Sequence, residues 1–177
     1  IPAIATRPGF YYNDRRAGNG LANFIYDTVY GGVWYTALPD RSPTWYILNG
    51  NYADHLGVMP IRRFRNTAAP AGFAPDDDFV GTVWVAQIDR DSLLHAWQFD
   101  DGVRGLELLD ATPLPFSNPN HSQTWYSTAE SGWGLSIESL MTGPTTALEF
   151  MVGYIYDAGG TARWVLGTSD STSGGTV

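Results

Sequence analysis

The sequence predicts an all-β protein: an antiparallel up-and-down barrel or sandwich of about eight strands, followed by a four-stranded half-repeat. Three observations carry this. Hydrophobic residues make up 44% and aromatic residues 14%, while charged residues reach only 16%, and Gly 20 with Pro 11 supply many turns. Apolar and polar residues alternate at period two in segment after segment, and no segment sustains a helical period. Finally, Tyr11-Tyr-Asn-Asp-Arg-Arg-Ala-Gly-Asn-Gly-Leu21 recurs in register as Trp125-Tyr-Ser-Thr-Ala-Glu-Ser-Gly-Trp-Gly-Leu135. The interval from Tyr35 to Trp45 likewise equals that from Tyr154 to Trp164, so the chain carries an internal repeat.

Residues 1–9 form an apolar leader whose Pro2 and Pro8 exclude a long helix and favour an extended arm. A complete β unit is expected over residues 10–109. Its first strand, 10–12, precedes the polar loop 13–19; strands at 20–26 and 32–38 follow. Pro39-Asp-Arg-Ser-Pro43 is a turn, since proline presets φ and Asp40 closes a side-chain turn. The chain returns over 44–51 and again over 57–66, where Arg62, Arg63 and Arg65 cluster.

Residues 67–78 read as a long loop ending in the triplet Asp76 to Asp78, whose spacing matches no known calcium loop; a solvated acidic tip is expected. Residues 79–88 and 93–99 alternate clearly, the second placing Leu93, His95, Trp97 and Phe99 on one face. Asp100-Asp-Gly102 turns the chain into 105–109, which completes the meander.

Residues 110–123 carry Pro113, Pro115 and Pro119 and read as a linker. The opening half of the unit then returns as strands at 124–126, 134–139, 147–157 and 161–168 within a second, incomplete unit spanning 124–177. Four strands with one apolar face leave sheet edges bare. The expectation is therefore that they pack on the first unit, belong to a longer repeat protein, or are completed by another copy.

The segments Trp125 to Leu135 and Tyr154-Ile-Tyr-Asp to Trp164 resemble a repeat domain found in exported proteins of Gram-negative bacteria. Gly81-Thr-Val-Trp-Val85 fits the strand that completes such a unit. In the first copy Arg16, Ala17 and Asn19 replace the Glu, Ser and second Trp of the motif. The resemblance implies a secreted β module, extracellular or at the cell surface. A chain beginning at Ile1 without Met suits a product matured by signal removal.

A net charge of -8 without extended basic clusters argues against nucleic acid, and no apolar run is long enough to span a bilayer. Absent cysteine excludes disulfides, thiolate metal sites and cysteine nucleophiles. No histidine of His55, His95 and His121 lies at metal-ligand spacing from another, and no Gly-x-Ser-x-Gly elbow or phosphate loop occurs. No catalytic residue, metal or cofactor is assigned. His95 is expected to be a satisfied core histidine. Two carboxylate pairs, Glu130 with Glu138 and Glu107 with Asp110, keep glycoside hydrolysis as a remote reading.

The leading expectation is a non-enzymatic extracellular structural protein whose copies associate head-to-tail, the leader and open half-repeat meeting the next copy as a filament, fibre or surface-layer subunit. The residues assigned to that contact are Ile1, Ile4, Arg15, Arg16, Glu130, Phe150, Tyr154 and Trp164. The alternative is a carbohydrate-binding module for extracellular polysaccharide, with Trp125, Tyr126, Glu130 and Trp133 as its ligand residues.

Overall fold

Twelve strands and no helix form the computed structural model, which describes residues 6–51, 58–68, 71–72, 74–112, 122–127 and 133–172. The first eight are β1 (Gly9–Tyr12), β2 (Gly20–Tyr26), β3 (Val29–Ala37), β4 (Pro43–Asn51), β5 (Val58–Asn66), β6 (Pro75–Gln87), β7 (Ser92–Phe99) and β8 (Arg104–Ala111). Each pairs antiparallel with the next, and β8 returns to β1 through Tyr11 opposite Ala111, closing a barrel. The remaining four, β9 (Gln123–Tyr126), β10 (Gly134–Gly143), β11 (Thr146–Tyr156) and β12 (Ala162–Thr172), make a separate sheet in the order β12-β11-β10-β9.

Alternation sends one residue of each neighbouring pair into the barrel. Leu21, Trp34, Leu48, Ile61, Val83, Leu93 and Leu109 pack its interior, all nearly or fully buried. Eight strands enclose a lumen that side chains alone can fill. Trp34 is the bulkiest of the fully buried side chains there, its ring centroid 5.8 Å from that of the stacked Phe99, 5.4 Å from Tyr46 and 5.2 Å from Trp97.

The opposite faces of β1 to β4 point outward yet are equally apolar. Phe10, Ala22, Val33, Tyr35 and Trp45 form a second core with Val152, Tyr154 and Ala162 from the four-stranded sheet, Phe150, Tyr156 and Trp164 packing beside them. The four-stranded sheet thus packs its apolar face on the barrel of the same chain, as the first of the three expected outcomes has it.

The two motif copies meet reciprocally. Tyr35 pairs with Trp45 across β3 and β4, as Tyr154 pairs with Trp164 across β11 and β12. Tyr35 then packs on Trp164 at 5.8 Å and Trp45 on Tyr154 at 5.9 Å. The Trp164 indole donates to the Thr36 carbonyl at 2.7 Å and the Trp45 indole to the Ile155 carbonyl at 3.3 Å. Each tryptophan therefore bonds the residue after the opposing tyrosine, the pattern of a two-fold contact built inside one chain.

One loop expectation is corrected. The triplet Asp76 to Asp78 lies in strand β6, where it faces the arginines of β5. Arg62 Nε donates to Asp77 Oδ2 at 2.6 Å and Arg63 Nη2 to Asp78 Oδ2 at 3.0 Å, with Arg65 on the same carboxylate. Opposite charges across a ladder stabilise the pairing that a run of like charges alone would oppose. Among the described residues no cluster suited to a metal ion occurs, and no helix is long and apolar enough to cross a membrane.

Candidate functional site

The up-and-down course brings the connections 13–19, 38–42 and 100–103 to one end of the barrel. A cavity of about 510 Å³ opens there. Trp34, Tyr46, Trp97 and Phe99 line its depth and Phe79 its rim; Arg16, Arg63, Asp100 and Asp101 surround them. The aromatic residues come from inward positions of β3, β4 and β7, so period-two alternation aims them at one axis. The charged residues come from the connections and strand ends, where water reaches them.

Beneath the mouth lies a polar network anchored on Glu107, buried on the inner face of β8. Its Oε1 accepts from the Asn19 amide at 2.5 Å, and its Oε2 from Arg16 Nη1 at 3.1 Å and Asn13 Nδ2 at 3.3 Å. Asn19 Oδ1 in turn accepts the Trp34 indole N–H at 3.1 Å. One carboxylate thereby ties a rim cation, a loop and the aromatic floor together. Burial pushes the Glu107 carboxyl up, but the hydrogen bonds from Asn19 and Asn13 and the neighbouring Arg16 guanidinium outweigh it and leave it below its ordinary range.

His95 is fully buried beside this network, as the alternation on β7 implies, with Trp34 at 4.8 Å and Trp97 at 5.2 Å. The expectation of a satisfied histidine is not met among the described residues: Glu107 Oε1 lies 3.8 Å from its Nδ1, beyond hydrogen-bond reach, and neither ring nitrogen has a hydrogen-bond partner there. Burial holds its pKa below the ordinary value, so the ring is neutral.

The remaining sequence candidates scatter. Trp125, Tyr126 and Trp133 do come together, lining a cleft of about 230 Å³ between the barrel and the second sheet with Phe24, Trp45, Phe64 and Tyr154. Its described lining holds no charged side chain, which suits sugar recognition poorly. Glu130, Ile1, Ile4, His55 and His121 lie outside the described residues. Arg15 is exposed, whereas Arg16 turns inward to Glu107. Phe150, Tyr154 and Trp164 serve the contact between the two layers.

Of the two carboxylate pairs, Glu130 with Glu138 falls partly outside the described residues, and Glu107 with Asp110 does not converge. Glu107 points into the barrel and Asp110, three positions on, points out. Glu138 is buried between the layers, accepting from Thr112 Oγ1 at 2.9 Å, and burial raises its pKa despite that bond.

Trp34, Tyr46, Trp97, Phe99, Arg63 and Asp101 were not singled out from the sequence as binding residues. Inward aromatics on alternating strands read as core, and only the polar connections 38–42 and 100–103 hinted that one end of the barrel is open. Comparisons with models of protein families, with curated proteins and with solved structures give no match.

Proposed function

We propose that this protein is a binding module that takes a carbohydrate at the mouth of its barrel. The observation that carries the reading is the composition of the 510 Å³ mouth: aromatic faces below, two arginines and two aspartates around them. Aromatic rings offer an apolar face to the C–H edges of a sugar, while guanidinium and carboxylate groups orient hydroxyls. The volume lies within the roughly 300–1,000 Å³ of small-molecule sites and takes one or two sugar rings. A ligand enclosed deep in the lumen is disfavoured, because Trp34 occupies that space.

Assembly through an open half-repeat is favoured less, because the apolar face that would drive it is covered by the same chain. Placement outside the cell rests on the sequence resemblance alone.

The test is tryptophan fluorescence titrated with a panel of neutral hexoses and tetrasaccharides, Trp34 and Trp97 serving as reporters. A saturable change is expected for at least one sugar. Phe79→Ala and Asp101→Asn, both at exposed positions, are expected to weaken it about tenfold each without changing the unfolding temperature. A panel that leaves the emission unchanged at millimolar sugar defeats the proposal.

A further inference from the structure

The second sheet covers the barrel over β1 to β4 and reaches β5 at Phe64, whereas the outer face of β6 to β8 contributes nothing to that inter-layer core. On β8 the inward positions Glu107, Leu109 and Ala111 are buried, so Arg104, Leu106, Leu108 and Asp110 point outward. Leu106 is 66% exposed and Leu108 48% exposed. The apolar character continues sideways. Leu106 is followed across the sheet by the half-buried Ala96 and Trp84 and the exposed Val58, and Leu108 by the half-buried Leu94, beyond which Ala86 is buried. No charged side chain interrupts these two rows.

The order along the strand is cation, apolar, apolar, anion, with alternate residues turned inward. Such a stripe is its own complement when one copy is turned end for end. A two-fold axis beside residue 107 sets Arg104 against Asp110 of the other copy, and Leu106 against Leu108, on both sides at once. Arg104 and Asp110 are about 20 Å apart along an extended strand. Sheets packed face to face cross at about 30°, which displaces the stripe ends laterally by about 5 Å, within the reach of an arginine.

We infer that this face of the barrel binds a second copy of the chain, forming a closed two-fold dimer with β8 antiparallel to β8 of its mate. A chain of net charge -8 repels its like, and this stripe is a place where two copies meet with charges matched. The patch measures roughly 400–500 Å² in outline from strand and residue spacings, less than the ~800 Å² per partner of a standard stable interface. The dimer is therefore weak, with a dissociation constant on the order of tens of micromolar. It leaves the barrel mouth open, so it stands independently of the carbohydrate reading.

Sedimentation equilibrium of the full chain from about 2 to about 200 μM tests it, a range that brackets a weak dimer. The average mass is expected to rise from monomer towards dimer. Arg104→Asp and Asp110→Arg are each expected to weaken association at least tenfold, because like charges then face each other, and the double variant to restore it. Leu106→Asp is expected to stay monomeric. The three positions changed, Arg104, Leu106 and Asp110, are exposed, and circular dichroism checks that each variant is folded. A wild-type chain that remains monomeric at the highest concentration overturns the inference. So do single charge variants that associate undiminished, or a double variant as weak as its parents.

Discussion

The ionisable side chains at the two cores carry opposite pH signatures. His95 is held below its ordinary pKa of 6.5 and Glu107 below 4.5. In both cases the unfolded chain takes up a proton before the folded one as pH falls. Their contribution is complete above the unfolded values and drains below 6.5 for His95 and below 4.5 for Glu107. Glu138 behaves in reverse: its folded pKa is raised above 4.5, so it costs stability once pH rises past that value. Urea midpoints measured at pH 4, 5.5 and 7 check both signs. His95→Gln is expected to shrink the drop from pH 7 to 5.5, and Glu138→Gln to stabilise the protein at pH 7 but not at pH 4. A midpoint for Glu138→Gln that falls equally at every pH contradicts the assignment.

At the level of elements, the pairing of β5 with β6 combines two devices. Its register shifts between Ile61 and Arg62, and beyond the shift the arginine and aspartate ladder takes over. Asp77→Asn is expected to cost a few tenths to about 1 kcal/mol, with the difference fading in molar salt because the pair is partly exposed. Gly81 sits where β6 passes β7 closely: an added Cβ would lie 2.3 Å from the Gln98 carbonyl oxygen and 2.8 Å from Phe99 Cα. Backbone cannot yield as a side-chain tip does. Gly81→Ala is therefore expected to destabilise by about 2 kcal/mol or more, read by thermal or urea unfolding.

For the molecule as a whole, the two layers are joined by the reciprocal Tyr35, Trp45, Tyr154 and Trp164 contacts and should unfold together. Trp45 is almost fully buried. Trp45→Ala is expected to cost about 3–5 kcal/mol and to lower the barrel and the second sheet in one transition. Two separated transitions in calorimetry would show instead that the layers are independent.

Most of the meander was legible over residues 10 to 109 because alternation at period two is a local property, written in neighbours such as Leu93, His95, Trp97 and Phe99. So were most turns, since Pro39, Asp40 and Gly102 impose local geometry. The tip at Asp76 to Asp78 was misjudged because its strand exists only through arginines thirteen to fifteen residues away. Sequence by itself determined the all-β class and the up-and-down course of the first eight strands. Tertiary structure alone decided which apolar face each layer turns to the other, which aromatics frame an open mouth rather than a closed core, and that the four-stranded sheet packs on the barrel of its own chain. The physical reason is that alternation sorts residues onto two faces but leaves open what each face meets. That choice belongs to contacts between residues more than a hundred positions apart, such as Trp164 with Thr36.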